Sequence, residues 1–402
     1  MPRLLSCRSL AALSAALLAA CAEVPGGGVV MPRGPADGSD GTAGTGDPDP
    51  TGQDGDGDGD GDGTTPAGTT PAGTTPAGTT TGTSSDCPPG VICVDALPYV
   101  GSSSTTGMPS ALDGYSCAAT TDESGPEVVY RVTLAEEGLL AASLSDLPGD
   151  VDVDVHLLEE LDAGACIDRG HWDSAALLPA GTYYVVVDSW VDASGTVFDG
   201  DYTLSLVETG YDDYAADGLA SDVLSTALYA FDRAWQAGDT DHLEYGVIDF
   251  SLPSVVPRFF VVDLRAGELL FSELTSHGIG SQDPNDLTMA DRFSNISGSN
   301  MSSIGLMRGA ETFDGTHGYS LRLDGLEPGF DDNVRDRAII VHSADYATQA
   351  FVNDYGYLGR SQGCPAVDPA VSDAMIDVLR DGGLLLSYYP DPTWLADSAY
   401  LR

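Results

Sequence analysis

Arg360-Ser361-Gln362-Gly363-Cys364-Pro365-Ala366-Val367 is the stretch on which the reading of this chain turns. A thiol between glycine and proline belongs in a loop, because glycine admits backbone angles other residues avoid and proline cannot donate to a ladder. Upstream, the apolar run Ala338-Ile339-Ile340-Val341 reads as a strand that delivers His342 to its end, with Ser343 following. A free thiol with a pKa near 8.5 is only a few per cent thiolate at neutral pH, so a nucleophilic cysteine needs a base or a cation beside it. His342 is the expected base and Arg360 the supporting cation. The alternative is a buried, inert cysteine.

The remaining cysteines bear on why this one is free. The chain of 402 residues has seven. Its N-terminus carries Arg3 and Arg8 and then an apolar run from Leu10 to Ala20, too short for a stable membrane span, which reads as a secretion signal. It ends in Leu18-Ala19-Ala20-Cys21, which resembles the bacterial lipobox; that resemblance implies that Cys21 is acylated and becomes the first residue of the mature protein. Ala22, where inner-membrane lipoproteins often carry aspartate, makes the outer membrane the expected address by the same resemblance. In an oxidising envelope Cys87, Cys93, Cys117 and Cys166 can form two disulfides. Three pairings exist, and Cys87 with Cys93 and Cys117 with Cys166 is the expected one. Cys364 is left without a partner.

Acids outnumber bases by 62 to 16, and every base is arginine. The acids are spread along the whole chain, a solvating surface that repels phosphate backbones, so nucleic acid is set aside as a partner. Residues 21–86 hold a Gly-Asp alternation from Asp54 to Asp62 and then Thr-Thr-Pro-Ala-Gly repeats. Such a segment buries too little to offset its chain entropy and is expected to be a disordered spacer, reaching roughly 45 Å on average. The Asp-Gly run lacks the closing glutamate of a helix-loop-helix calcium loop.

From 87 to 209 short runs rich in β-branched and aromatic residues (128–134, 139–144, 151–158, 182–188, 202–207) alternate with turn residues, the pattern of a β-sandwich. Val151-Asp152-Val153-Asp154-Val155 alternates strictly, which predicts valines on one face and solvated aspartates on the other; Asp150, Asp152 and Asp154 holding calcium is the alternative. The order of an Asp-Val-Asp strand, a Pro-Ala-Gly-Thr-Tyr-Tyr strand and a final Gly-Asp-Tyr-Thr-Leu strand resembles the pre-peptidase C-terminal β-sandwich module, which implies a role in adhesion or substrate proximity.

From 210 to 402 the chain opens with an expected amphipathic helix over 215–237, with Leu224, Leu228, Phe231 and Trp235 at helical spacing and Gly238 at the C-cap. A hairpin over 258–275, a helix from Asp368 as N-cap to Arg380, and a buried strand over 384–389 follow. Between them lie Ser276-His277-Gly278, Phe293-Ser294-Asn295, Ser302-Ser303-Ile304-Gly305, His317-Gly318-Tyr319-Ser320-Leu321 and the cysteine loop. His277, His317, His342 and Cys364 lack the close spacing of a zinc site, so no metal and no cofactor are expected. Arg337 is read as solvated or paired.

This order of motifs resembles the YkuD-type L,D-transpeptidases, in particular the murein L,D-transpeptidase catalytic-domain branch, over about 240 to 390. The resemblance implies a mainly β multidomain protein: a β-sandwich accessory domain followed by a β-rich catalytic domain with a few helices. It implies Cys364 as the acylated nucleophile, His342 as its base, the Ser343 carbonyl as the group orienting the imidazole, and the amides of Gly363 and Cys364 as an oxyanion hole. Arg360, Ser361 and His277 would meet substrate. Peptidoglycan stem peptides would be the partner, with the membrane engaged through the N-terminal lipid and the protein monomeric. Two departures stand out: Ser343 where many of the branch have glycine, and Gln362 where other members have histidine. A peptidoglycan-binding lipoprotein without activity is the second reading. A cysteine peptidase in which cysteine precedes histidine is disfavoured by the chain order.

Overall fold

The alternation of β-branched and turn residues between 91 and 210 folds as nine strands: β1 (Val91–Cys93), β2 (Tyr99–Ser104), β3 (Glu127–Leu134), β4 (Gly138–Ser145), β5 (Val153–Leu158), β6 (Cys166–Gly170), β7 (Asp173–Leu178), β8 (Gly181–Ser189) and β9 (Asp201–Gly210). The computed structural model describes residues 87–402. The expected signal, Cys21 and the spacer lie outside them. One sheet has the order β1-β3-β8-β5-β6 and the other β2-β9-β4-β7. Their facing side chains, among them Val128, Tyr130, Val155, Leu140, Leu204 and Leu206, form one buried core, so the two sheets pack as a sandwich. Disulfides join Cys87 to Cys93 and Cys117 to Cys166.

The outer face of the first sheet departs from expectation. β5 begins at Val153, and all six of its residues are buried. Asp154, expected in solvent, is 1% exposed. The irregular segment before β3 covers that face: Tyr115 stacks on His156 at 3.8 Å and the Cys117–Cys166 bridge ties the segment down. Asp154 is paired with Arg169 and takes His171 Nδ1 at 3.0 Å. Because both faces of the strand are covered, alternation does not report exposure here.

The second sheet is covered on its outer face by α1 (Ser221–Ala237). Leu139, Ala141 and Ala175 of that sheet lie in one core with Leu224, Leu228, Phe231, Tyr245 and Trp394. Burying each of the large ones stabilises by about 1.5–3 kcal/mol. Polar contacts close the seam: Trp235 Nε1 donates to Asp168 Oδ2 at 2.8 Å, the Leu177 amide donates to Asp232 Oδ1 at 2.9 Å, and Arg265 meets Asp173 at 3.0 Å. The helix starts at Ser221, later than its apolar pattern, because Gly218 is left-handed at φ 102. It ends at Gly238, also left-handed.

The remaining strands make one eight-stranded sheet: β10 (Glu244–Asp249), β11 (Phe259–Asp263), β12 (Glu268–Glu273), β13 (Gly305–Gly315), β14 (Gly318–Gly325), β15 (Ile340–Ser343), β16 (Ala366–Val367) and β17 (Leu384–Tyr388), in the order β12-β11-β10-β17-β13-β14-β15-β16. The β13–β14 hairpin was not anticipated. It turns in two residues, Thr316 and His317, with Gly318 at φ 76. Three short helices complete the fold, α2 (Gln349–Tyr355), α3 (Ser372–Leu379) and α4 (Pro392–Asp397). α3 starts at Ser372 rather than after Asp368, whose side chain instead accepts the Ala370 amide at 2.8 Å. Among the described residues no helix is long and apolar enough to cross a membrane. The architecture is mainly β.

Candidate active site

Strands β15 and β16 run parallel at one edge of the large sheet, with His342 paired to Ala366 and Ser343 to Val367. That register brings the histidine strand against the chain leaving Cys364, although no contact over 20 residues of sequence required it. His342 lies inside β15 and not at its end, because the strand starts late. Ala338 is left-handed at φ 54 and cannot join a ladder.

The cysteine loop is held by hydroxyls and close backbone packing. Gly363 has φ 125, and a Cβ there would lie 2.7 Å from the Met301 carbonyl. Ser361 Oγ donates to the Cys364 carbonyl at 2.7 Å and accepts the Gly363 amide at 3.0 Å. Ser276 Oγ donates to the same carbonyl at 3.2 Å and accepts the Ala366 amide at 3.1 Å. Gly278 packs so tightly that a Cβ would come within 2.9 Å of Gly363 Cα, and its amide donates to Ser302 Oγ, which donates to the Gly363 carbonyl. The scattered Ser-His-Gly and Ser-Ser motifs are thus the scaffold of one loop.

Cys364 is a free cysteine, 2% exposed, and its Sγ donates to the Ala338 carbonyl at 3.7 Å. His342 is equally buried. Its Nδ1 lies 2.8 Å from the Ser343 carbonyl, which can only accept, so Nδ1 carries the proton and Nε2 is left as the basic nitrogen. Burial lowers the His342 pKa to about 4; the His317 ring, stacked at 4.3 Å, pushes the same way and the Ser343 bond opposes. The imidazole is therefore neutral at pH 7, as a general base must be.

The other expected site residues divide. Arg360 holds Gln282 Oε1 and lies over the Tyr357 ring at 5.1 Å, half-buried beside the loop. Ser361 turns its hydroxyl inward, as above. His277 is wholly buried: it accepts from the fully buried Arg258 at 2.9 Å, and burial, with Arg258 and Arg360, lowers its pKa to about 3. Its role here is to support the loop, whose Ser361 amide donates to the His277 carbonyl at 3.0 Å. The Gly363 amide, expected in the oxyanion hole, is committed to Ser361 Oγ.

Sequence reasoning passed over Arg337 and undervalued His317. Arg337 is half-buried and charge on Cys364 acts on it; the sequence gave no sign, because the contact is made by the turn at Ala338. His317 had a signal in its flanking glycine, which makes a tight hairpin turn possible. Among the described residues the group of three side chains close enough to share a metal ion is Asp152, Asp154 and His171, in the sandwich. Asp154 there already pairs with Arg169.

Residues 215–388 match the L,D-transpeptidase catalytic domain, so the part of the chain that carries Cys364 and His342 is a domain of that family. A comparison with curated proteins finds no match. Among solved structures, an L,D-transpeptidase from Mycobacterium smegmatis aligns at 13% identity over 65% of this chain and 97% of its own, with a TM-score of 0.23. The pre-peptidase C-terminal domain of a Bacillus anthracis collagenase aligns at 19% identity over 29% of this chain and 91% of its own, TM-score 0.20. A periplasmic inhibitor of g-type lysozyme from Aeromonas hydrophila aligns at 10% identity over 30% and 96%, TM-score 0.20.

Proposed function

We propose, from the membership of residues 215–388 in the L,D-transpeptidase catalytic domain family, that the chain transfers peptidoglycan stem peptides through a thioester on Cys364. The observation that carries this reading is a free thiol and a neutral imidazole, its Nδ1 tied to a carbonyl, on adjoining parallel strands. The Cys364 proton passes to His342 Nε2 and the sulfur attacks the carbonyl of the L-centre of diaminopimelate in a tetrapeptide stem. The developing oxyanion is met by the Cys364 amide, with that of Gly363 joining when it exchanges its bond to Ser361. The C–N bond then breaks, and D-alanine leaves with the proton returned by the imidazolium. A side-chain amine of a second stem attacks the thioester, forming the crosslinking amide and freeing the thiol. Water in its place gives a shortened stem, an L,D-carboxypeptidase outcome.

The lipobox-like Leu18-Ala19-Ala20-Cys21 and the spacer to 86 support a lipid anchor that leaves the catalytic domain within reach of peptidoglycan, with the outer membrane as the proposed address. Arg360, half-exposed beside the loop, is the proposed contact for a substrate carboxylate. Exposure of the purified protein to a carbapenem tests the reading. An adduct of one drug molecule on Cys364 in the intact mass spectrum is expected. An unmodified Cys364 in folded protein favours the inactive, peptidoglycan-binding alternative.

A further inference from the structure

Arg337 is set into the site with no acid to balance it. Its terminal nitrogens donate to the Ser294 carbonyl, Ser303 Oγ, Ser299 Oγ and the Met301 carbonyl at 2.5, 2.6, 3.3 and 2.5 Å. All four acceptors are neutral. Among the described residues it makes no ion pair, whereas Arg169, Arg265, Arg292, Arg322, Arg335, Arg380 and Arg402 each face a carboxylate. In a chain with 62 acids and 16 bases this is not for want of partners. Withdrawing a guanidinium from water without an opposing charge is costly, and burial accordingly pulls its pKa down, while charge on Cys364 works in the other direction.

The geometry fixes this cation relative to the sulfur. Arg337 immediately precedes Ala338, whose left-handed backbone aims its carbonyl at Cys364 Sγ. The Met301 carbonyl that receives the guanidinium also packs where a Gly363 Cβ would be. Ser302, next in the chain, bonds the Gly363 carbonyl. A short frame of hydrogen bonds therefore joins the guanidinium to the cysteine loop from both sides.

We propose that the Arg337 guanidinium is the counter-charge of the Cys364 thiolate. The S–H bond opens with its electron pair staying on sulfur and the proton passing to His342 Nε2 or onward to water; the arginine holds the sulfur charge until attack. It acts through the sulfur and not on the substrate. The proposal rests on Cys364 being the nucleophile, and it explains how a site whose imidazole is kept neutral keeps a reactive thiolate. The other titratable groups around the sulfur are His342 on β15, His317 stacked on it, Arg360 on the loop, and the His277–Arg258 pair beneath it.

The test is the pH dependence of Cys364 alkylation by iodoacetamide in the full chain, with the modified peptide identified by mass. The wild-type midpoint is expected below the ordinary thiol value of about 8.5. Arg337→Gln is expected to raise it by about one unit, slowing alkylation at pH 7 about tenfold while leaving the high-pH plateau within about threefold. Arg360→Gln should leave the midpoint in place. A purely structural role for Arg337 would alter rates at every pH without moving the midpoint, and that result overturns the proposal, as does a wild-type midpoint at or above about 8.5. If Arg337→Gln does not fold, the 15N–1H signal of the Arg337 side chain in the wild type decides. It should titrate with the thiol and stay still in Cys364→Ser; a signal that never moves overturns the assignment. Iodoacetamide needs no peptidoglycan, so failure of the proposed function would show separately, as a normal thiol titration without stem transfer.

Discussion

At the scale of the residue, the chemistry depends on His342 staying neutral and the cysteine loop staying in one shape. His317 contributes to the first by stacking on the imidazole, so His317→Leu should raise the His342 pKa from about 4 and move the acid limb of carbapenem acylation to higher pH. A pH–rate profile with an unmoved acid limb would deny His317 that role. Gly363 secures the second. Gly363→Ala must keep φ 125 and place a methyl against the Met301 carbonyl, and acylation should fall about a hundredfold, as misplacement by an ångström can cost, with the fold retained by circular dichroism. Cys364, His342 and Ser343 were legible because their chemistry is local to their residue types. Arg337 was not, since nothing in the letters Asp336-Arg337-Ala338 tells which way a left-handed turn points. The inward turn of Ser361 and the burial of His277 were hidden for a similar reason: both follow from what packs on the loop.

At the scale of the element, the strands and α1 were legible through periodicity, and their coverings were not. β5 reads as half-exposed, yet the irregular segment carrying Tyr115 and Cys117 seals its outer face. The Cys117–Cys166 bridge, at a sequence separation of 49, closes a long loop in the unfolded chain. Replacing both cysteines by serine should cost about 3–4 kcal/mol in denaturant unfolding; a loss below about 1 kcal/mol would mean the segment holds its place unaided. The aromatic stripe of α1 was rightly read as core, but its partner was not foreseen. It packs on the sandwich, with Leu139, Ala141 and Ala175, so a cut near residue 210 divides a shared core and should leave either half less stable than the whole.

At the scale of the whole molecule, burial of ionisable groups sets the response to pH. Burial, with neighbouring acids, pushes Glu123 up to about 9, and burial foremost pushes Asp188 up to about 8. Both then hold protons that the unfolded chain releases near pH 4, so they cost stability as pH rises toward their folded values. His156, His277 and His342 are lowered to about 3, 3 and 4, and their opposite contribution ends near the ordinary histidine value of about 6.5. The melting temperature should therefore decline between about pH 6.5 and 9; a flat or rising profile would show those carboxyls ionised in the folded protein. The central claim is transfer through Cys364, and its most direct measurement is incubation of the purified chain with defined tetrapeptide muropeptides beside Cys364→Ala. Release of D-alanine with crosslinked or shortened stems, and a stem-sized adduct on Cys364, are predicted for the wild type alone. The same products from the Cys364→Ala protein would contradict the account.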